Sequence, residues 1–412
     1  MNLIKTSFYT SVSTAIGFIS GFIVTKVVAV KIGPQGMAYL GQFQNATAIL
    51  AMVATGAITT GVIKYLAEHR EDTQKTSRII NTAFVIVFCC SLAVSLFVMG
   101  ASGFLSRTSF RTADFWLVYF LFGLFTMAVS LNVLFSAILN GLKEIRRFTI
   151  VNVIASLANI VITVIFSYYF GVVGVLVSGS ALSVIVLGVN IYFFSRAGIR
   201  WKPDFRSWDK RVVKMLLRFS LMAVISGFLV PIMQILVRNK IIGSLSLADA
   251  GYWQAVSRIS DYYLAFLTTV LGVYYLPRLS EIKEKAELRA EVIKGYKVIL
   301  PVVGVLALVI WVLKDFIISV LFSPAFLPMK PLFAYQLLGD FFKIGSWLLA
   351  YLMLAKALVG RYIVTEVLFA TSYVILSYFF IDHYGVVGAT YSFCLNYGLY
   401  WIAMVFLIKR EI

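Results

Sequence analysis

The stretch GYWQAVSRISDYYLAFLTTVLGVYYLP, residues 251–277, decides how the rest of the chain is read. It is long and apolar enough to cross a bilayer as a helix, yet it contains Gln254, Arg258 and Asp261. A charge at the bilayer centre costs ~2.5–3.5 kcal/mol on insertion scales, so such residues are kept where they pair or face water. Positions 254, 258 and 261 follow the i, i+4, i+7 spacing and share one helical face. The stretch therefore reads as a membrane helix with one polar side turned away from lipid.

The whole chain agrees. Of 412 residues, 61% are apolar and only 13% charged, and the mean hydropathy is +0.92. A soluble domain is about half apolar and about a quarter charged. Apolar runs of helical length recur to the end, which implies an all-α integral membrane protein and not a barrel of short alternating strands. Twelve spans are expected, over 6–32, 37–60, 79–104, 114–140, 147–169, 172–195, 212–239, 248–277, 296–321, 331–355, 362–381 and 386–408. The first is read as an uncleaved helix.

The net charge of +18 comes from basic residues clustered between the apolar runs, which points to membrane topology and not to nucleic acid. With a cytoplasmic N-terminus, the inner flanks hold twenty-six Lys and Arg residues and the outer flanks six: Arg107, Arg111, Arg238, Lys240, Lys314 and Lys330. The expectation is a multi-pass protein of the bacterial inner membrane with both termini cytoplasmic. Cys89, Cys90 and Cys394 lie inside apolar runs, and His69 and His383 have no ligand spacing, so no metal site or disulfide framework is expected. There is no P-loop, triad or carboxylate pair; no cofactor, catalytic residue or enzymatic activity is expected.

The two halves echo each other. ISGFIV at 19–24 returns as ISGFLV at 225–230, RFTIVNV at 147–153 as RYIVTEV at 361–367, and GVVG at 171–174 as GVVG at 385–388. The last two pairs share one offset, 214 residues. This predicts an N-terminal six-helix lobe (1–198), a cytoplasmic amphipathic linker (199–211) and a C-terminal six-helix lobe (212–412), parallel repeats in the manner of transporters. In the linker, Trp201, Phe205, Trp208 and Val212 fall on one helical face, with Lys and Arg around them. That pattern fits a helix lying on anionic lipid, or else an ordinary basic loop.

Other spans carry polar faces too. The tenth places Gln336, Asp340 and Lys343 at i, i+4 and i+7; the seventh aligns Gly227, Pro231, Gln234 and Arg238; the first offers Lys26 and the second Gln42, Gln44 and Asn45. The candidate substrate-binding set is Lys26, Gln42, Asn45, Gln234, Arg238, Gln254, Arg258 and Lys343, with Asp261 and Asp340 as candidate ion-coupling carboxylates. Arg grips phosphate oxygens bidentately and Lys acts as a point charge. The competing reading is structural: Arg258–Asp261 and Asp340–Lys343 as neutral pairs within their own helices.

Residues 251–280, YQLLGDFFKIG (335–345) and TTGVIKYLAEHRED (59–72) resemble Wzx-type lipid-linked oligosaccharide flippases, the O-antigen and lipid III flippase-like branch of the multidrug/oligosaccharidyl-lipid/polysaccharide exporter superfamily. The resemblance extends over nearly the whole chain. It implies a MATE-like V-shaped fold of two six-helix lobes around a cationic cavity. It also implies alternating-access transfer of an undecaprenyl-pyrophosphate-linked oligosaccharide to the periplasmic leaflet, driven by H⁺ or Na⁺. Membrane lipids, a polysaccharide polymerase and a chain-length regulator are the implied partners. Which glycan is carried stays open, and a multidrug/ion antiporter of the same superfamily is the alternative.

Overall fold

The computed structural model describes residues 3–196, 201, 203–205, 208–356 and 358–409, with the backbone alone at 3–11, 218–223, 225, 226, 270 and 273. Among them there are helices and turns but no strand. The helices are α1 (Leu3–Ala54), α2 (Thr59–Glu68), α3 (Thr73–Gly100), α4 (Ser102–Phe110), α5 (Trp116–Gly141), α6 (Ile145–Ser195) and α7 (Lys210–Ser244). They continue with α8 (Leu247–Val270), α9 (Leu276–Glu281), α10 (Lys285–Val312), α11 (Lys314–Leu321), α12 (Leu332–Ala355), α13 (Val359–Tyr384) and α14 (Val386–Ile408).

Among the described residues, eight segments are long and apolar enough to cross a membrane. Two of them, in α1 and α6, span 43 and 51 residues, and each is broken once by a glycine in the left-handed region: Gly33 (φ 65°) and Gly171 (φ 54°). A side chain would be strained there, so the sequence marks the break with glycine. Counting each as a pair, and adding α7 and the charge-bearing α8, gives the twelve membrane-length helices of the sequence reading. Their ends differ from it. The second span closes at Ala54, where Gly56 (φ 60°) and Ala57 (φ 51°) turn the chain into α2. The third starts earlier, at Thr73, because the Asp72 side chain accepts the backbone N–H of Lys75 and caps it. The eighth runs past Pro277: a π-helical turn over Leu271–Tyr275 leads into α9, absorbing the amide that proline lacks.

The chain forms two compact units. Unit 1 comprises Met1–Ile32 and Tyr39–Pro231; unit 2 comprises Gly33–Ala38 and Ile232–Ile412. Unit 1 has a core in which Ile58, Val62 and Leu66 meet Ile80, Val87 and Ile138. In unit 2, Leu271, Tyr275 and Leu279 pack with Leu348, Met353 and Met404. Many apolar residues outside these cores stay exposed, among them Tyr169, Phe170 and Phe406, as helices embedded in hydrocarbon require.

For the linker, the two readings are a surface helix and a basic loop. Its described residues before Lys210 are not helical. Asn81 binds Asp204 like an opposed strand, giving its side-chain amide to the carbonyl (2.7 Å) and accepting the backbone N–H (2.9 Å). Trp201 donates to the same Asn81 oxygen at 3.2 Å and packs edge-on against Phe84 and Phe194; Phe205 lies against Phe84 and Phe88. The aromatics read as one lipid-facing stripe are thus partly spent on unit 1. An extended clamp built on one buried asparagine outcompetes the helix that their spacing suggests, and Pro203 adds no N–H to support that helix.

Candidate functional site

Unit 2 holds five of the six charged candidates, all but Lys26. The Ser246 side chain accepts the Asp249 N–H at 3.0 Å and starts α8. At Gly251 a Cβ would lie 1.9 Å from the Pro34 carbonyl oxygen, so only glycine lets α8 rest on that backbone. From there Gln254, Arg258 and Asp261 share a face but meet three environments. Gln254 is buried, and its Oε1 accepts from Arg238, which is itself fully buried with its guanidinium 5.3 Å over Trp253. Arg258 is half-buried and Asp261 exposed. Arg238, placed by sequence on an outer flank, lies inside the unit because α7 continues to Ser244 instead of ending near 239. Gln234, one turn earlier, is half-buried.

On α12 the carboxylate of Asp340 is fully buried and meets hydroxyls, not a cation. It accepts from Ser260 Oγ at 2.5 Å and from Tyr263 OH at 2.7 Å, both on α8, and from Gln336 Nε2 at 3.4 Å. Donors aimed at a buried carboxylate replace the water it has lost. Lys343 is half-buried, with its ammonium 4.9 Å from the ring centre of Trp347, 5.5 Å from Tyr397 and 5.7 Å from Phe393. Aromatic faces attract a cation without neutralising it. Neither Asp261 nor Asp340 has an ion pair within 4 Å among the described residues; Arg258 acts on Asp261, and Lys343 on both carboxylates, through space and not in direct contact. Nearby, half-buried Glu366 accepts from Tyr400 OH at 2.8 Å.

Unit 1 holds a cavity of about 340 Å³. Its polar lining comes from Gln44 and Thr47 on α1 and from Asn159, Thr163, Ser178 and Ser180 on α6; Phe43 and Phe122 form part of its wall. Among the described residues no charged side chain lines it. Thr163 Oγ1 lies 3.4 Å from both Asn159 Oδ1 and Ser178 Oγ. Of the second-span candidates, Gln44 lines this cavity, whereas Gln42 is buried and Asn45 half-buried outside its lining. Lys26 is half-buried and is not part of it either. The sequence reading missed Ser260 and Tyr263 as well as Asn159, Thr163 and Ser178. Isolated hydroxyls in apolar helices carry little signal, because they usually bond to their own helix, as Ser178 does to the Val175 carbonyl at 2.8 Å.

A family model described as polysaccharide biosynthesis protein matches residues 3–283. The chain is similar along its full length to the lipid III flippase of Escherichia coli K12, at 31% identity over 415 aligned residues and 100% of both chains. It is 24% identical to the putative O-antigen transporter of Shigella flexneri, over 100% of this chain and 98% of that one. A solved MATE family multidrug resistance transporter of the MOP superfamily, in its inward-facing conformation, matches with a TM-score of 0.80 at 15% identity, covering 97% of this chain and 94% of that one. The fold is therefore that of MATE-like transporters, all-helical and multi-pass.

Proposed function

Because this chain belongs to the family of polysaccharide biosynthesis proteins, we propose that it is a flippase, not an enzyme, that moves an undecaprenyl-pyrophosphate-linked oligosaccharide from the cytoplasmic to the periplasmic leaflet of the bacterial inner membrane. The observation that carries this reading is the 31% identity, end to end, with a protein named as a lipid III flippase. The physical need is plain: a sugar-pyrophosphate head cannot enter hydrocarbon without replacements for its lost water contacts. In this reading Arg258 and Lys343, two half-buried cations on the polar faces of α8 and α12, take the pyrophosphate oxygens, while the polyprenyl tail stays in lipid. Transport runs by alternating access with both termini cytoplasmic. A polysaccharide polymerase and a chain-length regulator act on the delivered unit.

H⁺ or Na⁺ is the proposed coupling ion, taken by Asp261 or Asp340, since a carboxylate changes charge on binding either. The drug-antiporter alternative rests on likeness of fold at 15% identity and is the weaker reading. Transfer of a fluorescent polyprenyl-pyrophosphate oligosaccharide across vesicles tests the proposal. Vesicles containing the protein should move the lipid several-fold faster than protein-free vesicles; equal rates would overturn it. Imposed H⁺ and Na⁺ gradients, with Asp340→Asn and Asp261→Asn alongside, test coupling separately. A parent rate indifferent to both gradients removes the ion and leaves the flippase.

A further inference from the structure

Unit 2 has a second cavity, of about 380 Å³, where α10, α12 and the end of α14 meet. Arg289 and Lys409, 120 residues apart in sequence, both line it. Neither makes an ion pair or a side-chain hydrogen bond among the described residues. The neighbouring acids are already engaged: Glu287 lies 3.0 Å and Glu291 3.9 Å from the Arg278 guanidinium. Below the two cations the lining is apolar, with Ile293, Leu349, Val405 and Ile408. Ile293 and Val405 are 44% and 50% exposed, so the slot opens to the lipid side of the unit. Its one phenol, Tyr296, is used up, donating to the Gly345 carbonyl at 2.7 Å and accepting from Trp401 Nε1 at 3.0 Å.

We propose that this slot binds an anionic phospholipid, its phosphate held between Arg289 and Lys409 and one acyl chain lying along Ile293, Leu349 and Val405. Two cations with no ion pair among the described residues, over an apolar groove between helix ends, match a lipid phosphate joined to a chain. A glycan fits less well, since apart from the two cations and the committed Tyr296 the lining is apolar. The site is separate from Arg258 and Lys343 and does not depend on the flippase reading.

The test uses the full chain in nanodiscs of phosphatidylcholine with added phosphatidylglycerol, the bound lipid being counted by native mass spectrometry. The parent should retain phosphatidylglycerol over phosphatidylcholine, and the preference should fall with salt. Arg289→Gln with Lys409→Gln should weaken retention about thirty-fold, as two cation–headgroup contacts imply. Ile293→Trp, which fills the groove and leaves both cations, should also reduce it. Thermal unfolding in pure phosphatidylcholine should be the same for parent and variants, which excludes misfolding as the cause. A parent without preference, or a double variant with an unchanged one, overturns the proposal. So does displacement of phosphatidylglycerol by an equal concentration of undecaprenyl phosphate, which would make the slot a carrier-lipid site.

Discussion

The segment α5–α6 of unit 1 and the segment α12–α14 of unit 2 are built alike and charged differently. α5 ends at Gly141 and α12 at Ala355, and the α6 and α13 segments start at Ile145 and Val359, each 214 residues apart. Gly171 and Gly385 make the same turn, at φ 54° and 63°. Three residues later, a Cβ on Gly174 would lie 1.9 Å from the Phe166 carbonyl oxygen, and one on Gly388 would lie 2.1 Å from that of Phe380. Thr163 faces Ser178 at 3.4 Å and Ser377 faces Ser392 at 2.8 Å, equivalent positions again. Yet where unit 2 has Asp340 and Lys343, the same offset in unit 1 falls on Thr126, which donates to its own helix at Phe122, and on Val129. The close backbone contacts that tolerate no side chain recur in both segments. The side chains differ, uncharged Thr126 and Val129 standing where unit 2 has Asp340 and Lys343.

The largest effect should come from breaking what the units share. Gly174→Val and Gly388→Val each force a side chain into a carbonyl, and overpacking of this kind typically costs ~1–3 kcal/mol or more. Both variants should lower the amount of folded protein in the membrane, measured by detergent extraction and size exclusion. A loss confined to one of them would show that the repeat is structural in only one unit.

Next come the charges that separate the units. Lys343→Ala should reduce lipid-linked oligosaccharide transfer about 10–100-fold, the range for a hydrogen bond to a charged group, with membrane levels unchanged. Lys343→Arg should recover part of it. If the alanine variant instead disappears from the membrane, the aromatic box around Lys343 is structural.

The smallest effect should come from the neutral cavity. Asn159→Ala and Gln44→Ala should each change transfer by only about five-fold, as a lost neutral hydrogen bond implies. An effect as large as that of Lys343→Ala would erase the functional distinction between the units.

Much of this was legible from the chain alone. Twelve spans, the GVVG repeat and the polar faces at 254–261 and 336–343 all follow from period and composition. What a helical face cannot reveal is what stands opposite. Asp340 and Lys343 are three residues apart and look like a pair, but Ser260 and Tyr263 on α8 claim one while Phe393 and Tyr397 on α14 surround the other. Gln254 and Arg258 look equivalent until α7 brings Arg238 to the first. The same holds for the linker, where the aromatic period says nothing of Asn81, more than a hundred residues away, which binds Asp204.

The turn at Gly385 has a consequence for how the protein is made. One residue separates α13 from α14, as Gly171 alone separates the two parts of α6. A ribosome feeding such a segment into the insertion machinery presents only a very short stretch between the spans, Asp382 to Gly385 in the second case, too short to be exported on its own. Each pair is therefore handed to the bilayer as a single hairpin, with its partner helix already in place to cover the hydroxyls of Ser377 and Ser392 before they meet lipid.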